Sequence, residues 1–447
     1  MFGGGGGRHS NRGGGRGWGR GKGGRNYSGN RSRHHNKPPG QQRNTGQPPK
    51  YMTCRRFIAP NGSCNGCNFS HSLKCHATIN AVTRSTQKQQ HGGNSGGYQS
   101  QHDRNSSKAV NGCTVWESPG GIKIFSGGKD GHWRLWNSTQ NFQQEFEQDM
   151  GLEVTNVEVY AGFLFCSFVG SCVALPDVSV GMVHVWNLSN PAEAPLEFHL
   201  DSQFTPYAHS CGVSSLLVTS TDEGSTDPSK MVLVSGDKKG VIRLWKPPAT
   251  ADQKVFVVQQ TFYGHAGEVT GLVICNNFLW SASTDASIRT WDPATGECKY
   301  LISKTNQNAH TNAITDMVLW KDQSATFVLT SSLDSTVKAW NSSNGEMCIS
   351  SDHGEGVICL ATVSDSGGKP VLVCGLESGA ILLRSLATTP STPAFTSLLK
   401  IVAYYTNGIG HEDGPVKCLR AGPSNTFYSG GEDGKLNVWQ VVGGLVD

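Results

Sequence analysis

Apolar and polar residues alternate with a period of two from about residue 108 onward, and Gly and Asp residues interrupt this alternation at short intervals. The same region lacks the 3.6-residue spacing of amphipathic helices. Alternation of this kind is typical of strands that bury one face. The pattern therefore predicts an all-β fold for residues 108–447.

A short motif returns seven times along this region. Its copies read GKDGHWRLW, SVGMVHVW, GDKKGVIRLW, STDASIRTW, SLDSTVKAW, GLESGAILLR and GEDGKLNVW. Arg384 ends the sixth copy, and tryptophan ends the others, at Trp136, Trp186, Trp245, Trp291, Trp340 and Trp439. A spacing of 44 to 59 residues predicts one four-stranded blade per copy, and hence a seven-bladed β-propeller. Its closing outer strand is expected either from residues 441–446 or from the stretch before Lys108.

The first 50 residues are of low complexity, with sixteen glycines, eleven Lys and Arg residues and no acid. Such a segment buries too little apolar surface to fold, so we expect it to be a disordered tail. Arg12, Arg16 and Arg20 each precede a glycine, and aromatic residues lie among them. Guanidinium groups pair with phosphates and stack on bases, which favours RNA contact over a simple solubilising linker.

Charge divides sharply along the sequence. Residues 1–110 contain 18 Lys and Arg residues and one acid, a net charge of +17, and the remainder therefore carries −13. A basic arm on an acidic body indicates a polyanionic partner for the arm, and nucleic acid fits better than a membrane because no amphipathic face accompanies the charge. No apolar run is long enough to span a membrane.

Residues 51–77 contain a cluster of cysteine and histidine, and residues 78–107 are a polar stretch expected to be a linker. Cys54, Cys64, Cys67 and His71 have the spacing C-x9-C-x2-C-x3-H. These donors suit one tetrahedral Zn²⁺ in a closed structural site, and the short segment would need the metal to fold. Cys75 and His76 follow closely and could replace a ligand, and the alternative is a vestigial finger with free cysteines.

The cluster resembles a CCCH zinc finger, because Cys67 to His71 reads C-x-F-x-H and Phe57 follows the first cysteine. The middle spacing of two residues is shorter than the four to six usual in that family. The resemblance implies binding of single-stranded nucleic acid, most simply RNA. The residues expected to stack on bases or hold phosphate are Arg55, Arg56, Phe57, Phe69 and Lys74. Both rings could instead form the small core around the metal.

Several copies of the repeat also resemble WD repeats. The residues that follow the family's order are His265, Asp285 and Trp291, then His310, Asp334 and Trp340, then His411, Asp433 and Trp439. The resemblance implies that His, Ser or Thr, Asp and Trp form a buried hydrogen-bond network within a blade. Because the set recurs once per blade, we reject a hydrolase triad.

The order of finger, linker and propeller resembles a family of plant CCCH zinc-finger proteins with WD repeats. We therefore expect a zinc-dependent nucleic-acid-binding adaptor whose finger and tail hold RNA, or alternatively DNA, while the propeller recruits proteins. The basic tail indicates the nucleus, with shuttling to the cytoplasm left open.

The alternative interpretation is a protein–protein scaffold with a vestigial finger, for example a ubiquitin-ligase receptor. Such receptors carry WDxR-like motifs, whereas Trp291-Asp292 is followed here by Pro293-Ala294, with alanine in the arginine position. An enzyme is not expected, because the sequence contains no phosphate-binding glycine loop, nucleophile elbow or catalytic metal motif. No small-molecule substrate is therefore expected.

Overall fold

The computed structural model describes residues 73–82, 108–172, 175–200, 205–220, 222, 225, 227, 230–248, 253–321, 325–389, 392–401, 410–412 and 414–443. In this part of the chain every regular element is a β-strand, apart from one short 3-10 turn at Ser138–Gln140. The predicted all-β class is confirmed. None of the described residues forms a helix long and apolar enough to cross a membrane.

Seven blades of four strands account for the 28 described strands. The first strand among the described residues is β1 (Leu73–Asn80). Blade 1 contains β2 (Val110–Ser118), β3 (Gly121–Gly128), β4 (His132–Asn137) and β5 (Gln143–Asp149). Blade 2 contains β6 (Val154–Tyr160), β7 (Phe163–Cys172), β8 (Leu175–Asn187) and β9 (Leu196–His199). Blade 3 contains β10 (Val213–Ser220), β11 (Met231–Asp237), β12 (Ile242–Lys246) and β13 (Val255–Phe262).

The remaining blades follow in chain order. Blade 4 contains β14 (Val269–Cys275), β15 (Phe278–Ser283), β16 (Ile288–Trp291) and β17 (Cys298–Ile302). Blade 5 contains β18 (Ile314–Lys321), β19 (Thr326–Ser332), β20 (Thr336–Asn341) and β21 (Met347–Asp352). Blade 6 contains β22 (Val357–Ser364), β23 (Pro370–Leu376), β24 (Ile381–Thr389) and β25 (Thr392–Ile401). Blade 7 contains β26 (Val416–Ala421), β27 (Thr426–Gly431) and β28 (Lys435–Val441), and β1 completes it.

Strand β1 closes the ring by pairing with β28 in antiparallel register, from Leu73 opposite Val441 to Asn80 opposite Lys435. The amides of Ala81 and Val82 extend the pairing by donating to the carbonyl of Gly434 at 2.9 and 3.1 Å. Of the two expected sources of the closing strand, the structure selects the stretch before Lys108. The boundaries predicted at residues 77 and 108 are therefore corrected, because Leu73–Asn80 belongs to the propeller rather than to a finger and a linker.

The core lies between the blades rather than at the centre of the ring. Seven clusters of buried apolar side chains each span one junction between neighbouring blades. The second strand of each blade is therefore covered on both faces. Because both faces are buried, β23 is an almost unbroken apolar run, PVLVCGL. Outer strands such as β17 are mostly exposed.

A ring of hydrogen bonds also joins the first strands of the blades. At each junction a side chain near the start of one blade's first strand donates to a carbonyl near the start of the next first strand. The pairs are Asn111 to Val154 (2.8 Å), Asn156 to Ser214 (3.2 Å), Ser214 to Val269 (2.7 Å), Thr270 to Ile314 (2.9 Å), Thr315 to Val357 (2.5 Å), Cys359 to Val416 (3.5 Å) and Cys418 to Val110 (3.8 Å). The last two junctions use thiols, which are weak donors.

Blades 2 and 3 are joined at their outer edges as well. Strand β9 pairs in parallel with β13, from Glu197 opposite Val255 to His199 opposite Val257, which merges the two blades into one eight-stranded sheet. The hairpin of β7 and β8 is longer than its counterparts, and its pairing continues to Cys172 opposite Leu175. The other copies of the motif have an acidic residue at the turn between the corresponding two strands, whereas the copy in blade 2, SVGMVHVW, has none.

Candidate functional site

Most of the predicted zinc and nucleic-acid residues lie outside the described part of the chain. These are Cys54, Cys64, Cys67 and His71 for the metal, and Arg12, Arg16, Arg20, Arg55, Arg56, Phe57 and Phe69 for nucleic acid. They remain predictions. Among the residues that the structure describes, no group of three or more His, Cys, Asp or Glu side chains is arranged to hold a metal ion.

Lys74, Cys75 and His76 belong to strand β1. Lys74 is partly buried opposite Gln440, and the His76 ring lies 2.7 Å from the Gln440 side-chain oxygen. Cys75 is fully buried opposite Trp439, and this burial raises the pKa of its thiol to about 11. Because Cys75 is a packed residue of the last blade, it is not available as a replacement zinc ligand.

Four blades contain a complete network of His, Ser or Thr, Asp and Trp. In blade 4 the Trp291 indole lies 2.8 Å from Ser281 Oγ, which lies 2.7 Å from His265 Nε2, and His265 Nδ1 lies 3.1 Å from Asp285. An indole only donates and a carboxylate only accepts, so the Ser281 hydroxyl accepts from Trp291 and His265 Nδ1 donates to Asp285. The network therefore has a tryptophan donor at one end and an aspartate acceptor at the other.

The same network recurs in blades 3, 5 and 7. The sets are Trp245, Ser235, His209 and Asp237; Trp340, Thr330, His310 and Asp334; and Trp439, Ser429, His411 and Asp433, with every contact between 2.6 and 2.9 Å. All four hydroxyl-bearing residues are fully buried. A substrate cannot reach them, which agrees with a structural role.

Burial and hydrogen bonding set the charges of these networks. Burial lowers the pKa of His209 to about 4 and also lowers that of His310. Burial alone would raise the pKa of Asp285, but hydrogen bonds from His265, Ser287 and the Ala266 amide bring it well below its usual range. His209 and His310 are therefore neutral imidazoles beside the carboxylates of Asp237 and Asp334 at neutral pH.

Of the blade 3 network, only Trp245 was predicted from the sequence; His209, Ser235 and Asp237 were not. Asp237 follows Ser235 by two residues, whereas the aspartates of the other three networks follow their hydroxyl residue by four. The blade 3 network could have been found from its serine. A Ser or Thr stands ten positions before the tryptophan in each of the four networks, at Ser235, Ser281, Thr330 and Ser429.

Within the described residues, the networks of blades 1, 2 and 6 are incomplete. In blade 1 the Trp136 indole donates to Ser126 at 2.9 Å, and Arg134 pairs with Asp130 at 2.7 Å in place of a histidine. In blade 2 Trp186 packs edge-on against Trp133 of blade 1. In blade 6 Arg384 occupies the tryptophan position, and burial lowers the pKa of its guanidinium. Arg384 is half-buried, and its guanidinium donates to the Asp352 carbonyl at 3.5 Å.

The first strands of all seven blades line a central cavity of about 740 Å³. Glu158 and Arg420 form an ion pair in it. Burial lowers the pKa of Arg420, but Glu158 together with Cys113 and Cys418 outweighs burial and raises it. Asp316 accepts hydrogen bonds from the amides of Leu360 and Met317 at 2.8 and 2.7 Å, yet burial raises its pKa to about 6. These charged groups belong to different blades and were not singled out in the sequence.

Among the described residues, blade 4 and the segment just before it have more exposed large apolar side chains than any other blade. Tyr263 precedes this blade and is 71% exposed, and Tyr300 and Leu301 on the outer strand β17 are 52% and 46% exposed. Exposed aromatic and aliphatic side chains at the edge of a scaffold are suited to protein contacts. The sequence signal was the outer-strand segment CKYLI, which is apolar despite its edge position.

Comparisons with known proteins agree with this architecture. A family model described as WD domain, G-beta repeat matches residues 98–137, 302–341 and 404–440, and one described as IP5P C-F beta-propeller matches residues 182–317. Zinc finger CCCH domain-containing protein 17 of Oryza sativa is 29% identical over 392 residues, which is 87% of this chain and 72% of that protein.

Two proteins of Arabidopsis thaliana match over a shorter range. Zinc finger CCCH domain-containing protein 62 is 27% identical over 48% of this chain and 46% of its own length. Zinc finger CCCH domain-containing protein 59 is 24% identical over 48% of this chain and 41% of its own length. The chain thus spans less than half of each of these two relatives.

Proposed function

From the premise that this chain is a WD-repeat protein of the plant CCCH zinc-finger type, we propose that it is a nucleic-acid-binding adaptor. Its finger and basic tail hold single-stranded RNA, and its propeller binds protein partners. A WD propeller is a protein-interaction scaffold, so the second part follows from the fold. The first part concerns residues before Leu73.

The observation that carries the proposal is the position of β1 in the chain. Only Ser72 separates His71, the last predicted zinc ligand, from Leu73, which pairs with Val441 in blade 7. Two residues span at most about 7 Å. An RNA held by the finger would thus be held beside the propeller, which is the arrangement that an adaptor requires.

The donor set fits a structural zinc ion. Three thiolates and one imidazole, from Cys54, Cys64, Cys67 and His71, supply four ligands and leave no open position. When bound, zinc would hold the short finger segment folded. Phe57 and Phe69 would then stack on bases, while Arg55, Arg56 and the tail arginines Arg12, Arg16 and Arg20 would neutralise phosphates. Nuclear localisation is part of the proposal.

The test measures the affinity of the full-length protein for fluorescent single-stranded RNA before and after zinc chelation. We expect chelation, or the double substitution Cys64→Ser with Cys67→Ser, to weaken binding at least about tenfold, because the finger loses its fold. The control is Cys298→Ser, which removes an exposed propeller thiol and should leave affinity and zinc content unchanged. Full affinity in the double variant would refute a role for the finger.

A scaffold that does not bind RNA is the second candidate, and the exposed apolar side chains of blade 4 favour it. Its test is purification of the protein with its partners before and after nuclease treatment. Partners that survive nuclease and are lost with Tyr300→Ser and Leu301→Ser would support a scaffold. Combined with an absence of RNA binding, that result would replace the adaptor proposal.

A further inference from the structure

Two cysteines meet at the junction where the ring closes. Cys418 of β26 and Cys113 of β2 lie with their sulfur atoms 3.6 Å apart, although 305 residues separate them in the chain. Their strands are already held side by side, since the Cys418 thiol also approaches the Val110 carbonyl at 3.8 Å and the Arg420 Nε donates to the Cys113 carbonyl at 3.2 Å. Both residues are free thiols.

We propose that Cys113 and Cys418 are an oxidation site, at which a peroxide converts the two thiols into a disulfide that joins the first and last blades. A disulfide bond is about 2.05 Å long, so the two sulfur atoms must approach by about 1.5 Å. Rotation about the Cα–Cβ bonds supplies movement of this size. The backbones of β2 and β26 can then keep their positions.

A small oxidant can reach the pair through the central cavity, which both residues line. Cys418 is partly exposed, whereas Cys113 is only 2% exposed. Contact with the Cys418 thiol and burial also raise the pKa of Cys113. Cys418 is therefore the thiol that reacts first.

The chemistry balances in two steps. The Cys418 thiolate attacks one oxygen of hydrogen peroxide, the O–O bond breaks, and the leaving hydroxide takes a proton to become water. The sulfur of Cys113 then attacks the resulting sulfenic acid, the S–O bond breaks, and the Cys113 proton leaves with the hydroxide as a second water. Two thiols and one peroxide thus give one disulfide and two waters, and a cellular thiol reverses the reaction.

The preceding junction provides a matched control. Cys359 takes the same place in blade 6 that Cys418 takes in blade 7, and its thiol lies 3.5 Å from the Val416 carbonyl. Cys418 faces Cys113 of the next blade. The residue of blade 7 that corresponds to Cys113 is Leu419, so Cys359 has no thiol in the place where Cys418 has one. Each thiol approaches the carbonyl of the valine that begins the next first strand, at 3.5 Å for Cys359 and 3.8 Å for Cys418, although Cys359 is buried and Cys418 is partly exposed.

The experiment treats the reduced full-length protein with increasing hydrogen peroxide, blocks the remaining thiols by alkylation, and maps peptides by mass spectrometry without reduction. We expect a peptide linked through Cys113 and Cys418, faster migration in a non-reducing denaturing gel, and a rise of a few degrees in Tm that dithiothreitol reverses. Cys359→Ser should retain all three effects. Cys418→Ser and, separately, Cys113→Ser should abolish them.

Separate alkylation or over-oxidation of Cys113 and Cys418, without the linked peptide, would overturn the proposal. The same conclusion would follow if the gel shift and the rise in Tm persisted in either serine variant. Because the linked peptide is identified directly, oxidation of the cysteines in residues 54–67 cannot be mistaken for it.

Discussion

At the scale of single residues, the networks of His209 and His310 each keep an uncharged imidazole inside the protein at neutral pH. His209 is fully buried between Ser235 and Asp237, and burial lowers its pKa to about 4. In the unfolded chain the same side chain titrates near its ordinary value of about 6.5. At a pH between these two pKa values, His209 binds a proton in the unfolded chain but not in the folded chain, so acid favours unfolding.

We expect His209→Gln to remove this part of the pH dependence. Wild-type stability should fall by about 1.4 kcal/mol for each pH unit below about 6.5, and by about 3 kcal/mol in total at pH 4, through this residue alone. The variant, which lacks the titrating group, is less stable at pH 7, and its deficit should shrink as the pH falls. Chemical unfolding of both proteins from pH 7 to pH 4 measures this, and a deficit that stays constant would contradict the prediction.

A second residue-scale prediction concerns Ser281, which accepts from the Trp291 indole and contacts His265. Ser281→Ala leaves both partners buried without this hydrogen bond, and each such loss costs about 1–3 kcal/mol. We expect a clear decrease in Tm in thermal unfolding. Ser343→Ala, at an exposed position after β20, is the control and should leave Tm unchanged.

At the scale of elements, β1 determines whether the ring is closed. Leu73 and Cys75 are fully buried and belong to the cluster between blades 6 and 7, while Ile79 belongs to the cluster between blades 7 and 1. One eight-residue strand thus contributes to two junctions. Without it, β28 would expose its pairing edge to solvent and to other chains.

Leu73→Asp should therefore open the last blade. An aspartate at this position would be a buried unpaired charge, which costs several kcal/mol, so the strand is expected to detach. The measurement is Tm together with the tendency to aggregate on size-exclusion chromatography. Thr78→Asp changes an exposed residue of the same strand and should retain a monomeric, stable protein. Equal behaviour of the two variants would show that β1 is dispensable.

The number of blades could be predicted from the sequence because the motif that ends in a buried tryptophan recurs once in nearly every blade. It did not predict the range of β1, although Leu73, Cys75, Ala77 and Ile79 alternate as a strand requires. The alternation spans only eight residues and begins beside a Cys and His cluster with a competing interpretation. The inter-blade contacts join residues 42 to 58 positions apart, and the two cysteines at the closing junction are 305 positions apart, so these contacts carry no local signal.

At the scale of the whole molecule, opposite charges are separated along the chain. The net charge is +17 for residues 1–110 and −13 for the remainder. An acidic propeller repels nucleic acid, so phosphate contacts should concentrate in the basic segment. Affinity for RNA should therefore depend steeply on salt, because bound phosphates release counterions.

Replacement of Arg12, Arg16 and Arg20 by alanine in the full-length protein should reduce this salt dependence. If all three contact phosphate, the slope of log K against log salt should become shallower by about 2, at about 0.7 for each contact with a single strand. Titrations at several salt concentrations measure the slope. The matched control replaces Lys238, Lys239 and Lys435 of the propeller, and an equal change of slope there would contradict the division of labour.

Closure by β1 also has a consequence for how the protein is made. The strand leaves the ribosome early, but the residues of β28 with which it pairs are synthesised more than 350 positions later. At about 5–20 residues per second, the gap lasts on the order of 20–70 s. During that time Leu73, Cys75 and Ile79 have no partner strand, so the nascent chain must be kept from aggregating until translation of the last blade is complete.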